Sequence, residues 1–585
     1  MELAKRPLAV TKKELGDRVP DFIIVSGDAY VDHPSFGTAV IGRVLEKEGF
    51  CVAIIPQPSI KNLNDFMRFG KPRLAFLVNA GNIDSMVANY TVAKRKRDTD
   101  YYSPGGKTGK RPDRAVIVYC NKIREAFGDV PIVIGGIEAS LRRFAHYDYW
   151  DNKIRKSILV DSGADLLSYG MGERSIAEIA RLLDKGVPIK SIRSVRGTCF
   201  LTESEYVPKD AHVMLPSYEK LLNDKLKYAQ SFKTQYGNCD HVNGKILCER
   251  YPEGMLIQNP PQPPLNTKEL DGVASLPFTR DIHPIYKNEG VPAITEVKFS
   301  VTHNRGCFGG CAFCAIAYHQ GRAVTSRSID SCIEEIELLT TLPDFKGYIH
   351  DIGGPTANFR TGPCKAVTEG KKGVCANRRC LTPEPCKNLI VDHSEYIELL
   401  DRASRVKGVK KVFVRSGIRH DYVMADKACG GRFIEVLAKR HVSGQLRTAP
   451  EHIASEVLLA MGKPPFKVHE SFVQRFNEAS KKARLEQYVV PYLMSSHPAS
   501  TMQSAKKLAD YLKKNNLHPE QVQDFYPTPS TAATVMFYTG IDPFTSKPVY
   551  TATTPQQKQA QRALLGADPR KRGTKNAIRT TKRRK

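Results

Sequence analysis

Three cysteines fall within eight residues, Cys307, Cys311 and Cys314, in the stretch Asn304-Arg-Gly-Cys-Phe-Gly-Gly-Cys-Ala-Phe-Cys314. Thiolates this close in sequence can converge on one inorganic centre, because a tight loop turns them inward. Gly306, Gly309 and Gly310 allow the backbone angles such a loop needs. Three thiolates are one short of the four that usually hold an iron–sulfur cube. A missing fourth ligand leaves one coordination position open, which is what separates a catalytic metal site from a structural one. A zinc knuckle completed by a distant ligand and plain buried thiols are the competing readings. Three cysteines at a ligand spacing, in a chain without secretory features, favour the metal centre.

A second set follows: Cys364, Cys375, Cys380 and Cys386, in a stretch rich in glycine, proline and basic residues that reads as a loop. Four thiolates suffice for tetrahedral zinc or for a second iron–sulfur cluster, and the spacing leaves both open. Arg378, Arg379 and Lys387 would offset thiolate charge or touch a phosphate. Cys199, Cys239 and Cys248 form no ligand pattern and read as structural thiols.

The elements that must position these residues alternate between strand and helix. In the N-terminal third, Asp21–Ser26, Cys51–Pro56, Leu74–Val78, Ala115–Cys120, Pro131–Ile134 and Leu166–Tyr169 read as strands, with a helix over about 35–48. The alternation predicts a doubly wound parallel sheet over 1–200, with ligands beyond the carboxyl ends of its strands. Residues 201–295 read as a connector, with a stiff, proline-rich link at 258–266. From 296 to 530 six strand–helix repeats predict a partial (β/α)6 barrel. Its strands are Lys298–Thr302, Gly347–Ile352, Lys411–Arg415, Gln445–Ala449, Glu486–Met494 and Val522–Tyr526; the Cys-rich insertion occupies 360–390. In such folds the active site lies at the carboxyl ends of the strands. The triad follows strand one, Gly353-Gly354 follows strand two, Arg415 ends strand three, Glu451 follows strand four and Ser495 ends strand five. An arginine there suits a carboxylate ligand. Residues 531–585 read as an extension ending in a basic, disordered tail.

The bulk composition narrows the classes. At 585 residues with 41% hydrophobic content, several domains with large cores fit. No run of about 18 apolar residues marks a membrane span. The start, Met-Glu-Leu-Ala-Lys-Arg-Pro-Leu, lacks the apolar core of a signal peptide. With 14 cysteines and no export signal, the reducing cytoplasm is the expected compartment, and metal or catalytic use outranks disulfides. The net charge is +27, and eleven basic residues face the single acid Asp568 between 555 and 585. A basic excess favours polyanions, so RNA or ribosome contact through the tail is expected; a merely solvated tail is the bland alternative.

The Cys-x3-Cys-x2-Cys loop, with Phe313 just before its last cysteine, resembles the cluster loop of radical S-adenosylmethionine (radical SAM) enzymes. The resemblance implies a [4Fe-4S] cluster on Cys307, Cys311 and Cys314, with S-adenosylmethionine chelating the open iron. It also implies reductive cleavage to methionine and a 5′-deoxyadenosyl radical, and a one-electron donor of the flavodoxin or ferredoxin kind. Phe313, Gly353, Gly354 and Arg415 are then the residues expected at S-adenosylmethionine, with Glu451 and Ser495 behind them. Pro355-Thr356 stands where many relatives have Glu-Pro, so a carboxylate partner is missing. The catalytic residue that meets the substrate is not assigned.

The N-terminal order and the turn at Gly135-Gly136 resemble the cobalamin-binding-like domain found ahead of many radical SAM cores. Its ligand pattern is Asp-x-His-x-x-Gly. Here Asp32 and His33 are adjacent and Gly37 lies four further on. The broken pattern argues for the fold without the vitamin, with His33 satisfying a local hydrogen bond. Nearly the whole chain resembles the YgiQ family of radical SAM proteins. That match is carried by Gly27–Gly37, Gly135–Phe144, the triad loop, Asp351–Asn358 and Ala449–His452. A different class remains open: a non-catalytic, metal-stabilised RNA-binding protein.

Overall fold

The computed structural model describes residues 6–517, 519 and 522–566. Its first unit is a nine-stranded sheet. The parallel half runs in space Val52–Pro56, Phe22–Ser26, Ala75–Asn79, Ile132–Ile134 and Leu166–Ser168. Numbered along the chain this is the order 2-1-3-4-5, one of the doubly wound arrangements. Both faces are covered, so the strands read as unbroken apolar runs. Ile23 and Val25 share one core with Val116, Tyr119 and Ile123, while Phe22 and Ile24 share the other with Val40, Val44, Ile176 and Ile179.

Two expectations change here. Ala115–Cys120 is not a strand but the start of a helix, Ala115–Phe127. Its β-branched residues suggest a strand, yet Ala115, Val116, Tyr119, Cys120 and Ile123 form one buried helical stripe. Packing against the sheet overrides local propensity. The region 201–295 is also more than a connector. Ile246–Tyr251 and Gly254–Gln258 join Thr198–Thr202 as antiparallel strands, and His212–Met214 completes the edge. The sheet is therefore mixed. The proline-rich link is pinned to its rim, where the carbonyls of Pro260 and Pro261 accept from the amide of Gly197 at 2.8 Å and from Nε of Arg196 at 3.0 Å.

In the second unit, Ser300–Thr302 pairs in parallel with Asp351–Gly353, and Tyr348–Ile349 with Lys411–Val412. Gln445–Glu451, Tyr488–Ser495 and Val522–Asp524 form a second parallel arc. Helices Ile329–Thr340, Ser394–Arg405, Gly430–Val436, Phe466–Lys482 and Met502–Lys514 alternate with these strands. Among the described residues no ladder joins Lys411–Val412 to Gln445–Glu451, or Val522–Asp524 to Ser300–Thr302.

The extension folds back onto the first unit. Helix Ala532–Thr539 packs on helix Lys225–Gly237. Of the basic tail, Lys558 and Arg562 lie on helix Pro555–Leu564; Arg570 onward lies outside the described residues. Arg562 pairs with Asp524 at 2.9 Å. Lys558 is buried, with Nζ 3.2 Å from the Tyr149 hydroxyl and 4.5 Å from the Phe537 ring centre. Burial lowers its pKa from 10.5 to about 8, with Asp524 opposing and Lys94 reinforcing the shift. A lysine depressed on folding destabilises the folded state below its folded pKa, and that cost fades as pH rises to the unfolded value. Lys558→Met is therefore expected to raise stability at pH 7 by up to about 3 kcal/mol. The gain should shrink between about pH 8 and 10.5, and urea unfolding at a series of pH values checks it.

Candidate metal centre

The parallel register Thr302↔Gly353 brings two separate stretches to one place. The loop bearing the three cysteines leaves the first strand, and Gly353-Gly354 leaves its neighbour. The His303 amide donates to the Gly353 carbonyl at 3.0 Å, which locks the two ends together. Asn304 then donates to the carbonyls of Thr356 and Phe359 at 3.2 and 2.7 Å. A side chain at Gly354 would collide with Asn304 Oδ1, a buried oxygen that has no hydrogen-bond partner. Glycine is required there by close approach rather than by turn angle.

The loop itself is held by backbone. The Cys307 amide donates to Gly321 at 3.1 Å, and the Ala312 amide to Met461 at 2.8 Å. Gly306 has φ +81°, a left-handed angle that few other residues adopt, and its α-carbon lies against the Ala323 carbonyl. Cys307 Sγ lies 3.3 Å from Thr356 Oγ1, so the residue standing in the usual Glu-Pro position touches the first thiol. Arg419 Nη1 donates to Cys311 Sγ at 3.2 Å, and its Nε donates to Asp421 at 2.8 Å. Lys463 is within electrostatic reach of Cys314 and lies 5.8 Å from the Phe313 ring centre.

The thiols suit iron–sulfur ligation. Burial pushes Cys314 up to about 12, and Cys311 and Cys307 add to the shift; burial also raises Cys307. Without metal these groups are neutral thiols, and ligation releases their protons. Arg419 and Lys463 supply positive charge for the thiolates that result. A tetrahedral zinc at ~2.3 Å from each sulfur would draw the sulfurs to ~3.8 Å. Among the described residues, the one group of three ligand atoms mutually within 4.8 Å is Asp392, Asp426 and Cys429. At least one pair of the triad's sulfurs is therefore more than 4.8 Å apart, wider than one zinc ion demands.

The other sequence-derived positions are placed as follows. Phe313 meets His497 edge-on, ring centres 5.9 Å apart. Arg415 is exposed and lies over Phe413 at 5.7 Å; Arg419, four residues on in the loop before helix His420–Ala425, is the guanidinium that reaches Cys311. Glu451 pairs with Lys463 at 3.4 Å, and Ser495 donates to Asp524. Asn304, Arg419 and Lys463 were not singled out from the sequence, and Thr356 was noted only as standing where many relatives have Glu-Pro. Arg419 could have been found in the same post-strand stretch as Arg415. Cys364, Cys375 and Cys386 all lie within electrostatic reach of Cys380.

Between the loop and the first sheet runs a basic cleft lined by Arg143, Arg174, Arg305, Arg322, Tyr318 and His319. Arg143 is buried and lies 4.0 Å from the Tyr318 ring centre. Arg174 and Arg305 pair with Glu269 and Glu173. Among the described residues Arg143 and Arg322 have no carboxylate partner.

The family described as Radical SAM N-terminal matches residues 8–300, and a domain of unknown function, DUF3362, matches 520–577. A UPF0313 protein of Clostridium botulinum (strain Okra / Type B1) is 56% identical over 562 residues, covering 95% of this chain and 87% of that protein. A UPF0313 protein of Clostridium perfringens (strain ATCC 13124) is 54% identical over 546 residues, covering 93% and 82%. Among solved structures, the radical S-adenosylmethionine methyltransferase TsrM from Kitasatospora setae, with cobalamin and a [4Fe-4S] cluster bound, is 14% identical. It aligns over 88% of this chain and 74% of its own, with a TM-score of 0.48. The cobalamin-dependent S-adenosylmethionine radical enzyme OxsB, with aqua-cobalamin bound, is 11% identical, with 87% and 54% covered and a TM-score of 0.47.

Both of these neighbours hold cobalamin; the expectation against it in this chain is corrected because it rested on residues that the local fold has taken up. The physical flaw lay in the residues tested. Asp32 is fully buried on Arg43 and the Thr279 amide, and His33 accepts from the Ser35 amide at 3.1 Å. Both serve the local fold, so their spacing says nothing about a ligand elsewhere on the sheet. With relatives more than half identical along almost its entire length, the chain belongs to the UPF0313 family and carries that family's radical SAM N-terminal domain.

Proposed function

We propose that this protein is a radical SAM enzyme of the YgiQ group, acting in the cytoplasm on a polyanionic substrate such as RNA or a ribosome-associated protein. The observation that carries the reading is the meeting of three cysteines at ligand spacing with Gly353-Gly354, fixed by the register of two parallel strands. The two paired ladders and the three-stranded arc are read as the strands of a partial (β/α)6 barrel with this site at its carboxyl end. A [4Fe-4S] cluster bound there would supply the electron that cleaves S-adenosylmethionine to methionine and a 5′-deoxyadenosyl radical.

This chain's residues do the rest. Cys307, Cys311 and Cys314 hold three irons and leave the fourth open. Gly353 and Gly354 offer backbone to the amino group of S-adenosylmethionine. Arg419 and Lys463 balance thiolate charge. Phe313, His497 and the first sheet keep water from the loop. Arg143 and its neighbours attract an anion into the cleft, in keeping with a net charge of +27. A flavodoxin- or ferredoxin-type donor would bring the electron.

The test is anaerobic reconstitution with iron and sulfide, reduction with dithionite, and addition of S-adenosylmethionine. 5′-Deoxyadenosine is expected as product, with a change in the electron paramagnetic resonance of the reduced cluster when S-adenosylmethionine binds. A loaded, reduced cluster whose spectrum ignores S-adenosylmethionine, with no product, would defeat the proposal.

A further inference from the structure

We propose that Cys364, Cys375, Cys380 and Cys386 bind a second [4Fe-4S] cluster, with all four irons ligated by protein and with Arg322 as its buried counter-charge. This goes beyond the reading above and does not depend on it.

The insertion is gathered rather than spread. The Ile390 amide donates to the Pro363 carbonyl at 3.0 Å, which closes the ends of the insertion on each other. The Cys386 amide donates to the Cys380 carbonyl at 2.9 Å. Cys364, Cys375 and Cys386 are each within electrostatic reach of Cys380. Regular structure between 354 and 393 is limited to the short helix Lys365–Thr368. A loop of this length that buries few apolar residues does not hold four thiols together by packing alone. A shared inorganic centre would.

The buried charge points the same way. Arg322 is 2% exposed, and no carboxylate lies within ion-pair distance of it among the described residues. It donates to the Cys375 carbonyl at 2.9 Å and to the Arg378 carbonyl at 3.3 Å, and its Nε has no partner. Cys380 and Cys375 are among the groups within its electrostatic reach. A lone buried guanidinium is costly unless an anion faces it. Four thiolates on a cube of iron and sulfide carry net negative charge, and would supply that anion.

The separation of the sulfurs, rather than their number, favours the cluster over zinc. The four sulfurs contribute no group of three mutually within 4.8 Å, whereas a zinc tetrahedron needs ~3.8 Å. Nor is a fourth position left open, so this centre would not chelate S-adenosylmethionine. It lies against the first loop: a side chain at Gly310, beside Cys311, would sit 3.3 Å from Cγ of Arg379, beside Cys380. Cys380 and Cys307 also pack on the same small core of Phe308, Phe359 and Tyr422.

The full-length chain carrying Cys307→Ala, Cys311→Ala and Cys314→Ala together is reconstituted anaerobically, and iron, sulfide and zinc are counted beside the wild type. About eight irons are expected in the wild type and about four in the triple variant. The triple variant should keep a cluster absorbance and, once reduced, a resonance signal that S-adenosylmethionine does not alter. Cys364→Ser with Cys380→Ser should bring the wild-type count down to about four irons while preserving the S-adenosylmethionine-sensitive signal. A triple variant without iron beside a wild type with about four would overturn the inference, as would about one zinc per chain in place of the iron. If the triple variant does not fold, the wild-type count decides alone. Loss of S-adenosylmethionine sensitivity everywhere, with about eight irons retained, would count against the enzyme reading and leave this site standing.

Discussion

Cys307→Ala is expected to reduce 5′-deoxyadenosine formation more than about a thousandfold, to background, when the variant is reconstituted and reduced like the wild type. Two thiolates cannot hold a cube against exchange into solution. Cys307 is also the thiol tied to the Gly353-Gly354 turn through Thr356 Oγ1 at 3.3 Å. On the proposed function its removal is therefore expected to disturb both the cluster and the turn at Gly353-Gly354. The fold should survive, because the anchor at this point is the Cys307 amide on the Gly321 carbonyl, which alanine retains. Circular dichroism and gel filtration of the apo chain check that. Cys51→Ala, a half-buried thiol far off in the first sheet's margin, serves as the control and should leave product formation unchanged. Product at wild-type level from Cys307→Ala would show that this thiol is no ligand.

Much of the first unit was legible because its parallel strands are buried on two faces, so each is an apolar run bounded by turns. The helix read over about 35–48 stands in the structure as Gly37–Lys47. The failures have one cause, which is that edge and packing decisions are made by distant residues. Ala-Val-Ile-Val-Tyr-Cys at 115–120 has strand composition, and only its stripe continuing to Ile123 reveals a helix. The strands after Thr198 looked like connector because polar residues interrupt their apolar runs, Glu249 and Gln258 among them, although both are buried in the sheet. At the site, spacing along the chain located the cysteines and the glycine turn, since each is a local signal. Arg419 and Lys463 gave none. Which of two arginines after a strand turns toward a thiol depends on Asn358 and Asp421, whose positions only the folded chain fixes: the Arg419 amide donates to Asn358 at 2.9 Å. Asp32 and His33 show the converse error, a motif sought in residues that the core had already claimed.

Arg419→Gln is expected to lower the reduction potential of the bound cluster by on the order of 60 mV or more, a tenfold change for one electron. Hydrogen bonds and positive charge at a ligating sulfur favour the reduced, more negative cluster. Arg419 supplies both to Cys311, at 3.2 Å from Nη1. The same substitution should destabilise the fold by about 3–5 kcal/mol, because it strands the carboxylate of Asp421. Burial pushes that carboxyl up, but Arg419, together with His420 and Lys463, holds it below the usual range. The two effects separate in Arg419→Gln/Asp421→Asn. Removing the stranded charge should recover much of the stability, while the potential stays low because the donor to Cys311 is still gone. Urea unfolding of the apo chain reads the first, and a redox titration followed by electron paramagnetic resonance reads the second. A potential equal to wild type in both variants would reduce Arg419 to a packing residue. A low potential in both would make it the group that tunes how readily a flavodoxin-type donor can reduce the centre, and product formation should then fall with the potential rather than with the stability.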